Sequence, residues 1–250
     1  MGVEDLKKLD VSFPEKLIRR ILDLTSMAAF DVERISKAID NTLLRPQASE
    51  AEIRRLCEES VRYGFAAVCV NPIYVPLAYE LVKNSDVKVC TVIGFPLGAT
   101  FKEVKALEAR KAVDNGASEI DMVMNISMFK SGKYEYVEEE IREVKEAIGN
   151  KVLKVIIECC YLTDEEKIRA AKIAEKAGAD YIKTSTGFGP AGAKVDDVKL
   201  LRKILSPNVK IKAAGGIRTA EQVIEFLEAG ANRIGTSSGT KIIQELKQEF

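Results

Sequence analysis

The 250-residue sequence carries 38 basic and 38 acidic side chains and so no net charge at neutral pH, while 46% of its residues are hydrophobic. Without a block of like charge it lacks the footprint of a nucleic-acid binder, and without an apolar run of bilayer length no membrane partner is expected. It contains no histidine, which excludes Ser-His-Asp machinery, His-paired cysteine nucleophiles and the imidazole ligands common in catalytic zinc sites, leaving proton transfer to Asp, Glu, Lys, Tyr, Cys or water.

Residues 1–30 stand outside the repeat that fills the rest of the chain. They are expected to form a short N-terminal helical extension, with an amphipathic helix at 14–24 whose apolar face is Leu17, Ile18, Ile21 and Leu22. Such a helix pads the main fold or supports an oligomer interface, and Met27 offers a second start site. The first ten residues alternate charges instead of showing a signal-peptide apolar segment, and Cys57, Cys69, Cys90, Cys159 and Cys160 are an odd set without C-x-x-C spacing. A cytoplasmic protein with reduced thiols is expected.

From residue 31 to 250 the sequence predicts one catalytic domain built on a repeating grammar. Amphipathic stretches end at Gly64, Gly116, Gly178 and Gly230, each followed by a small or apolar residue and a short β-branched run; glycine closes a helix in the left-handed conformation without strain. The pairs Ser49/Glu52, Thr100/Glu103, Thr163/Glu166 and Thr219/Gln222 have capping-box spacing and mark helix starts. Between these signals lie eight runs, at 39–43, 65–70, 87–94, 119–125, 152–158, 180–185, 209–214 and 232–236. Most are nearly continuously apolar, as parallel strands buried on both faces are. Eight alternating units predict an α/β fold of the closed (β/α)8 or TIM-barrel kind. The competing doubly wound sheet would carry G-x-G-x-x-G after its first strand, and none stands there.

Three runs interrupt their apolar character with an ionisable residue: Asp121, Lys183 and Lys212. A buried charge is costly unless paired or used, and barrel strands deliver their carboxyl ends to one mouth, where active sites gather. Lys183 and Lys212, on the sixth and seventh runs, should be neighbours. Two close ammonium groups disfavour each other's charge and desolvation acts the same way, so one is expected to become a nucleophilic amine. Asp121 would then steady the lysine that stays charged and move protons through a water. Taken singly, each residue also fits a rim charge in a structural salt bridge; the three together fit catalysis better.

Three glycine-rich segments follow strand ends: Ser185-Thr186-Gly187-Phe188-Gly189, Ala214-Gly215-Gly216-Ile217 and Gly235-Thr236-Ser237-Ser238-Gly239. Small residues let backbone N–H groups approach an anion, hydroxyls add donors, and the third segment opens a helix whose N-terminus attracts negative charge. A phosphorylated substrate is expected.

The segments 182–187, 209–219, 119–123 and 154–158 resemble those of the deoxyribose-phosphate aldolase family, and the likeness runs from about Ile39 to Ile243. The resemblance implies a class I aldolase that reversibly cleaves 2-deoxy-D-ribose 5-phosphate to D-glyceraldehyde 3-phosphate and acetaldehyde. Lys183 would form the imine, Lys212 perturb it and Asp121 assist proton transfer, while Gly187, Gly215, Gly216, Gly235, Ser237 and Ser238 hold the phosphate. Asp40, Thr42, Cys69 and Thr186 match pocket positions, with Asp40 and Thr42 touching substrate hydroxyls; for Cys69 a buried strand thiol is the simpler reading and reaction with aldehydes the alternative. No metal or organic cofactor is required, and a homo-oligomer, dimer or tetramer, is expected. Two departures stand out: Asn41 occupies a position where many members carry histidine, and the sequence ends without the tyrosine that some members use near the end of the chain, so a water held by Asp121 and Lys212 would protonate the enamine. Another Schiff-base aldolase or lyase on a different phosphosugar, and a non-catalytic or engineered phosphate-metabolite-binding barrel, remain as alternatives.

Overall fold

The computed structural model describes residues 32–249, so the helix expected at 14–24 lies outside the described residues. A short helix, α1 (Val32–Ser36), leads into β1 (Ile39–Leu43), α2 (Glu50–Tyr63), β2 (Ala67–Val70), α3 (Val75–Val82), β3 (Lys88–Ile93) and α4 (Lys102–Asp114). Then come β4 (Glu119–Val123), α5 (Ile126–Lys130), α6 (Tyr134–Ile148), β5 (Val152–Ile156), α7 (Asp164–Lys176), β6 (Tyr181–Lys183), α8 (Val195–Ile204), β7 (Lys210–Ala214), α9 (Ala220–Glu228), β8 (Arg233–Thr236) and α10 (Gly239–Glu249). Each strand pairs in parallel with the next and β8 pairs with β1, closing the (β/α)8 barrel that the alternation predicted.

The local signals act as their chemistry requires. Gly64, Gly116, Gly178 and Gly230 all have positive φ, from 65° to 109°, where a Cβ would be strained. Ser49, Thr163 and Thr219 form complete capping boxes at the starts of α2, α7 and α9. The fourth expected box does not form. α4 is preceded by Phe101, whose side chain makes no capping bond, and Thr100 lies one residue too early, its carbonyl accepting from the Asn125 amide at 3.4 Å. β6 is three residues long, shorter than the 180–185 expected, although Thr184 still donates its N–H to Lys212 O at 3.1 Å.

Side chains alternate along each strand, so the apolar character is spent on the outer face. Ile39, Val68, Val89, Ile120, Leu153, Ile182, Ile211 and Ile234 are at most 3% exposed. Buried residues of the surrounding helices, among them Ile53, Ile141, Val144, Val223 and Ile224, complete this layer. Each such side chain contributes about 1.5–3 kcal/mol by leaving water. The opposite phase points into the barrel. There Ala67, Cys69, Cys90 and Val92 of β2 and β3 join Leu44 and Phe95 in one apolar cluster, while β1 and β4 to β8 contribute charges.

Candidate active site

The barrel interior holds seven acidic and basic side chains: Asp40 on β1, Glu119 and Asp121 on β4, Lys154 on β5, Lys183 on β6, Lys212 on β7 and Arg233 on β8. Strand register sets Asp121 beside Lys154, Lys183 beside Lys212 and Lys212 beside Arg233. Asp121 is the hub. Its Oδ2 accepts from Lys183 Nζ at 2.8 Å and from Lys212 Nζ at 2.7 Å, and its Oδ1 accepts from Lys154 Nζ at 2.9 Å. Lys212 also donates to Asp40, which accepts from Arg233 at 2.6 Å, and Lys154 and Arg233 both reach Glu119. Among the described residues no buried side-chain nitrogen or oxygen is left without a partner, which is the condition for so much buried charge.

Burial alone would lift the Asp121 and Asp40 carboxyls, but the surrounding cations prevail. Lys154, Lys183 and Lys212 hold Asp121 well below the usual carboxylate range, and Arg233, Lys212 and Lys154 do the same for Asp40. Burial likewise works to strip Lys212 and Lys154 of their protons; Asp121 and Asp40 keep Lys212 protonated above the ordinary lysine value, and Asp121 with Cys90, Glu119 and Asp40 does so for Lys154. The two lysines expected to be neighbours thus share the carboxylate expected to steady one of them, and Lys212 is held charged. Three carboxylates face four cations in this cluster, an excess of one positive charge that the loss of a single proton cancels.

Above the cluster, at the carboxyl ends of the strands, opens a cavity of about 300 Å³ lined by Thr42, Lys183, Thr186, Gly187, Gly215, Gly216, Gly235 and Ser237 among others. Of the seven interior groups only Lys183 forms part of its wall. Asp40, Asp121 and Lys212 lie behind that wall, Cys69 belongs to the apolar cluster, and Ser238 is not among the lining residues. Gly187, Gly215 and Gly216 have φ of 84°, 92° and 80°. The backbones also approach closely: a Cβ on Gly192 would lie 2.1 Å from the Gly215 carbonyl oxygen. Ser237 stands just before the N-terminus of α10, where unbonded N–H groups and the helix dipole favour an anion. Five of the six residues expected to hold a phosphate, Gly187, Gly215, Gly216, Gly235 and Ser237, thus line one cavity.

Reading the sequence missed several of these residues. Arg45 and Arg218 line the cavity as well, and Lys154, Glu119 and Arg233 complete the charged cluster. Their signal was the two-residue period: Glu119 and Asp121, Lys154, Lys212 and Arg233 all fall on the inward phase of their strands. Asn41 falls on the other phase, buried, with its amide donating to Ser60 Oγ of α2 at 3.2 Å, so the substitution at this position faces a helix and not the mouth. Two sets of metal-capable atoms, Cys69, Cys90 and Asp121, and Asp40, Cys90 and Glu119, lie within 4.8 Å of one another. Their carboxylates are already bonded to Lys154, Lys183, Lys212 and Arg233, so a cation entering there would meet like charge.

The chain is 59% identical over 218 residues, 86% of its length and 94% of the other protein, to the deoxyribose-phosphate aldolase of Caldanaerobacter subterraneus. It is 57% identical over 214 residues, 84% of its length and 95% of the relative, to that of Thermococcus gammatolerans. Among solved structures, the tetrameric deoxyribose phosphate aldolase of Aeropyrum pernix superposes with a TM-score of 0.83 at 35% identity, covering 90% of this chain and 96% of the other. The family model for DeoC/LacD aldolases matches residues 27–245, and the chain belongs to that family.

Proposed function

We propose that the protein is a class I aldolase that reversibly cleaves 2-deoxy-D-ribose 5-phosphate to D-glyceraldehyde 3-phosphate and acetaldehyde through a Schiff base on Lys183. The observation that carries the reading is that Lys183 alone among the interior charges enters the cavity, while its Nζ rests on Asp121 at 2.8 Å. The free amine of Lys183 adds to the C1 aldehyde of the open-chain sugar, and loss of water gives an iminium that acts as an electron sink. The bond that breaks is C2–C3, since only that cleavage leaves two carbons on the imine, those of acetaldehyde. The C3 hydroxyl gives up its proton, its electrons form the new carbonyl of glyceraldehyde 3-phosphate, and the C2–C3 pair moves onto the imine as an enamine. Protonation at C2 and hydrolysis release acetaldehyde and restore the lysine.

Asp121 and Lys212 are suited to pass these protons through a water, because the carboxylate touches both lysines. Gly187, Gly215, Gly216, Gly235 and Ser237, with Ser238 at the start of α10, hold the phosphate, and Arg218 on the cavity wall adds a cation for it. Thr42 and Thr186 face the sugar. Asp40, bonded to Lys212 and Arg233, supports the cluster from behind. We read the active form as a dimer or tetramer, supported by the exposed apolar Leu97, Phe101, Val104 and Leu107 and by the tetrameric Aeropyrum relative. A cytoplasmic setting is supported by five unpaired cysteines. Among the described residues no helix is long and apolar enough to cross a membrane.

The test is borohydride reduction in the presence of 2-deoxyribose 5-phosphate followed by peptide mass mapping. A reduced two-carbon or sugar adduct on Lys183, absent in Lys183→Ala, is the expected result. An unmodified Lys183 in an active enzyme would overturn the mechanism.

A further inference from the structure

One buried acid takes no part in the steps above. Glu158 is 2% exposed and has φ 52° and ψ 69°, the only left-handed conformation at a non-glycine residue among those described. A side chain strains this conformation, and such strain persists where the surroundings enforce it, commonly at functional sites. The enforcing contacts are visible. Ile157 N donates to Lys183 O at 3.1 Å and Cys159 N to Thr184 O at 2.8 Å. In a regular parallel ladder successive donors skip a residue on the partner strand; here they reach consecutive carbonyls, so Glu158 is the extra residue of a bulge.

The bulge turns the Glu158 carboxylate toward the segment that follows the catalytic lysine. It accepts from Thr186 N at 3.2 and 3.3 Å and from Thr186 Oγ1, and Thr186 Oγ1 accepts from Phe188 N at 3.0 Å. On its other side it is confined by Gly189, where a Cβ would lie 3.3 Å from Glu158 Cδ. A hydroxyl has one proton and two lone pairs. With the proton given to Glu158 and one lone pair taken by Phe188, Thr186 presents only an acceptor to the cavity it lines.

We propose that Glu158 is a positioning and specificity residue of this aldolase, acting through Thr186: it fixes that hydroxyl as an acceptor that fits a sugar hydroxyl and turns away phosphate oxygens. The phosphate is thereby directed to the glycine and serine side of the cavity, and the sugar has one orientation relative to Lys183. The inference rests on the aldolase reading above.

The experiment measures kcat and KM for Glu158→Leu, Thr186→Val and the double variant, with 2-deoxyribose 5-phosphate and with 2-deoxyribose, alongside thermal unfolding and borohydride trapping. Loss of a hydrogen-bonded contact to the sugar raises KM on the order of tenfold in Glu158→Leu, which removes the acceptor, and in Thr186→Val, equally for both substrates because the phosphate contacts are untouched. The double variant is expected to be no worse than Thr186→Val alone, as residues acting through one contact are non-additive, and trapping at saturating substrate persists. Glu158→Gly, in which relief of the left-handed backbone strain offsets part of the lost hydrogen bonding, shows the same KM increase, so a failure of the Leu variant to fold leaves the test intact. KM within twofold of the parent, or losses that multiply in the double variant, would refute the role of Glu158 while leaving the aldolase standing. A parent that neither turns over nor traps substrate would remove both.

Discussion

Replacing Asp121 by asparagine is the sharpest perturbation of the charged interior, because one carboxylate serves three ammonium groups. The shape is kept and the charge is lost. Lys154 retains Glu119 at 2.5 Å and Lys212 retains Asp40, whereas Lys183 has Asp121 as its one carboxylate contact. The structural loss therefore falls mainly on Lys183, which borders the open cavity, so the stability cost belongs at the low end of that for breaking a buried pair, about 3 kcal/mol. For a barrel of this size that lowers the unfolding temperature by roughly 10 °C. Catalysis fares differently. Imine formation survives, since the amine is present, but the proton relay to the carbinolamine, the C3 hydroxyl and the enamine is gone, and kcat falls by about 10²- to 10⁴-fold. A coupled assay for glyceraldehyde 3-phosphate measures turnover, and borohydride reduction with mass mapping measures the imine. Turnover within tenfold of the parent, or a folded variant with no trapped Lys183, would refute the assigned role.

Other consequences can be checked independently. Lys105 and Glu140 form a fully buried pair at 2.7 Å behind β4, and burial pushes Lys105 below and Glu140 above their ordinary values. Lys105→Met leaves Glu140 unpaired and is expected to cost about 3–5 kcal/mol at neutral pH; since a raised carboxyl pKa penalises folding only above the unfolded value near 4.3, the loss in unfolding temperature should widen between about pH 5 and 8, and a deficit constant across that range would contradict it. In the parent, the depressed Asp121 and Asp40 stabilise above an unfolded value of about 3.9 and lose this as pH falls, while the raised Lys154 and Lys212 stabilise below about 10.4 and lose it as pH rises. The cluster's contribution should accordingly be flat from about pH 5 to 9, and a steep change in unfolding temperature there that disappears in Asp121→Asn would argue otherwise. In Gly235→Ala the new Cβ would lie 3.0 Å from Lys212 Cε, displacing that ammonium from Asp121, so kcat should fall roughly tenfold or more; unchanged kinetics would show that Lys212 is free to move. Alkylation of the folded protein near pH 8 should modify only Cys160, the one partly exposed thiol, with Cys57 pushed up to about 12 by burial; a second modified cysteine in the intact fold would contradict the packing.

Much of this architecture could be read from sequence because its signals are local. Left-handed glycines and three capping boxes sit at the helix ends where their chemistry is needed, and the eight apolar runs between them became the eight strands. Thr100 misled because spacing alone does not reveal which backbone groups a neighbouring side chain, here Asn125, will occupy. Asp121, Lys183 and Lys212 were legible as charges inside apolar runs. Arg233 was not, since it opens β8, where a charge reads as a rim residue until the register shows which way it points; Lys154, at the centre of β5 as Asp121 is in β4, carried the same signal and was passed over. That Asp121 would bridge the two lysines was likewise invisible, because it depends on the diameter and stagger of the closed barrel. Glu158 gave no local sign at all: its conformation is set by hydrogen bonds to Lys183 and Thr184, residues far along the chain.

The ionic filling of the barrel has a thermal consequence. Hydration of charged groups weakens as temperature rises, so withdrawing them from water is less unfavourable in hot solution than in cold, whereas the gain per unit of apolar area levels off. A lumen packed with Asp40, Glu119, Asp121, Lys154, Lys183, Lys212 and Arg233 is thus a filling whose relative cost falls on heating, and the apolar shell around it keeps the lattice of charges aligned while that happens.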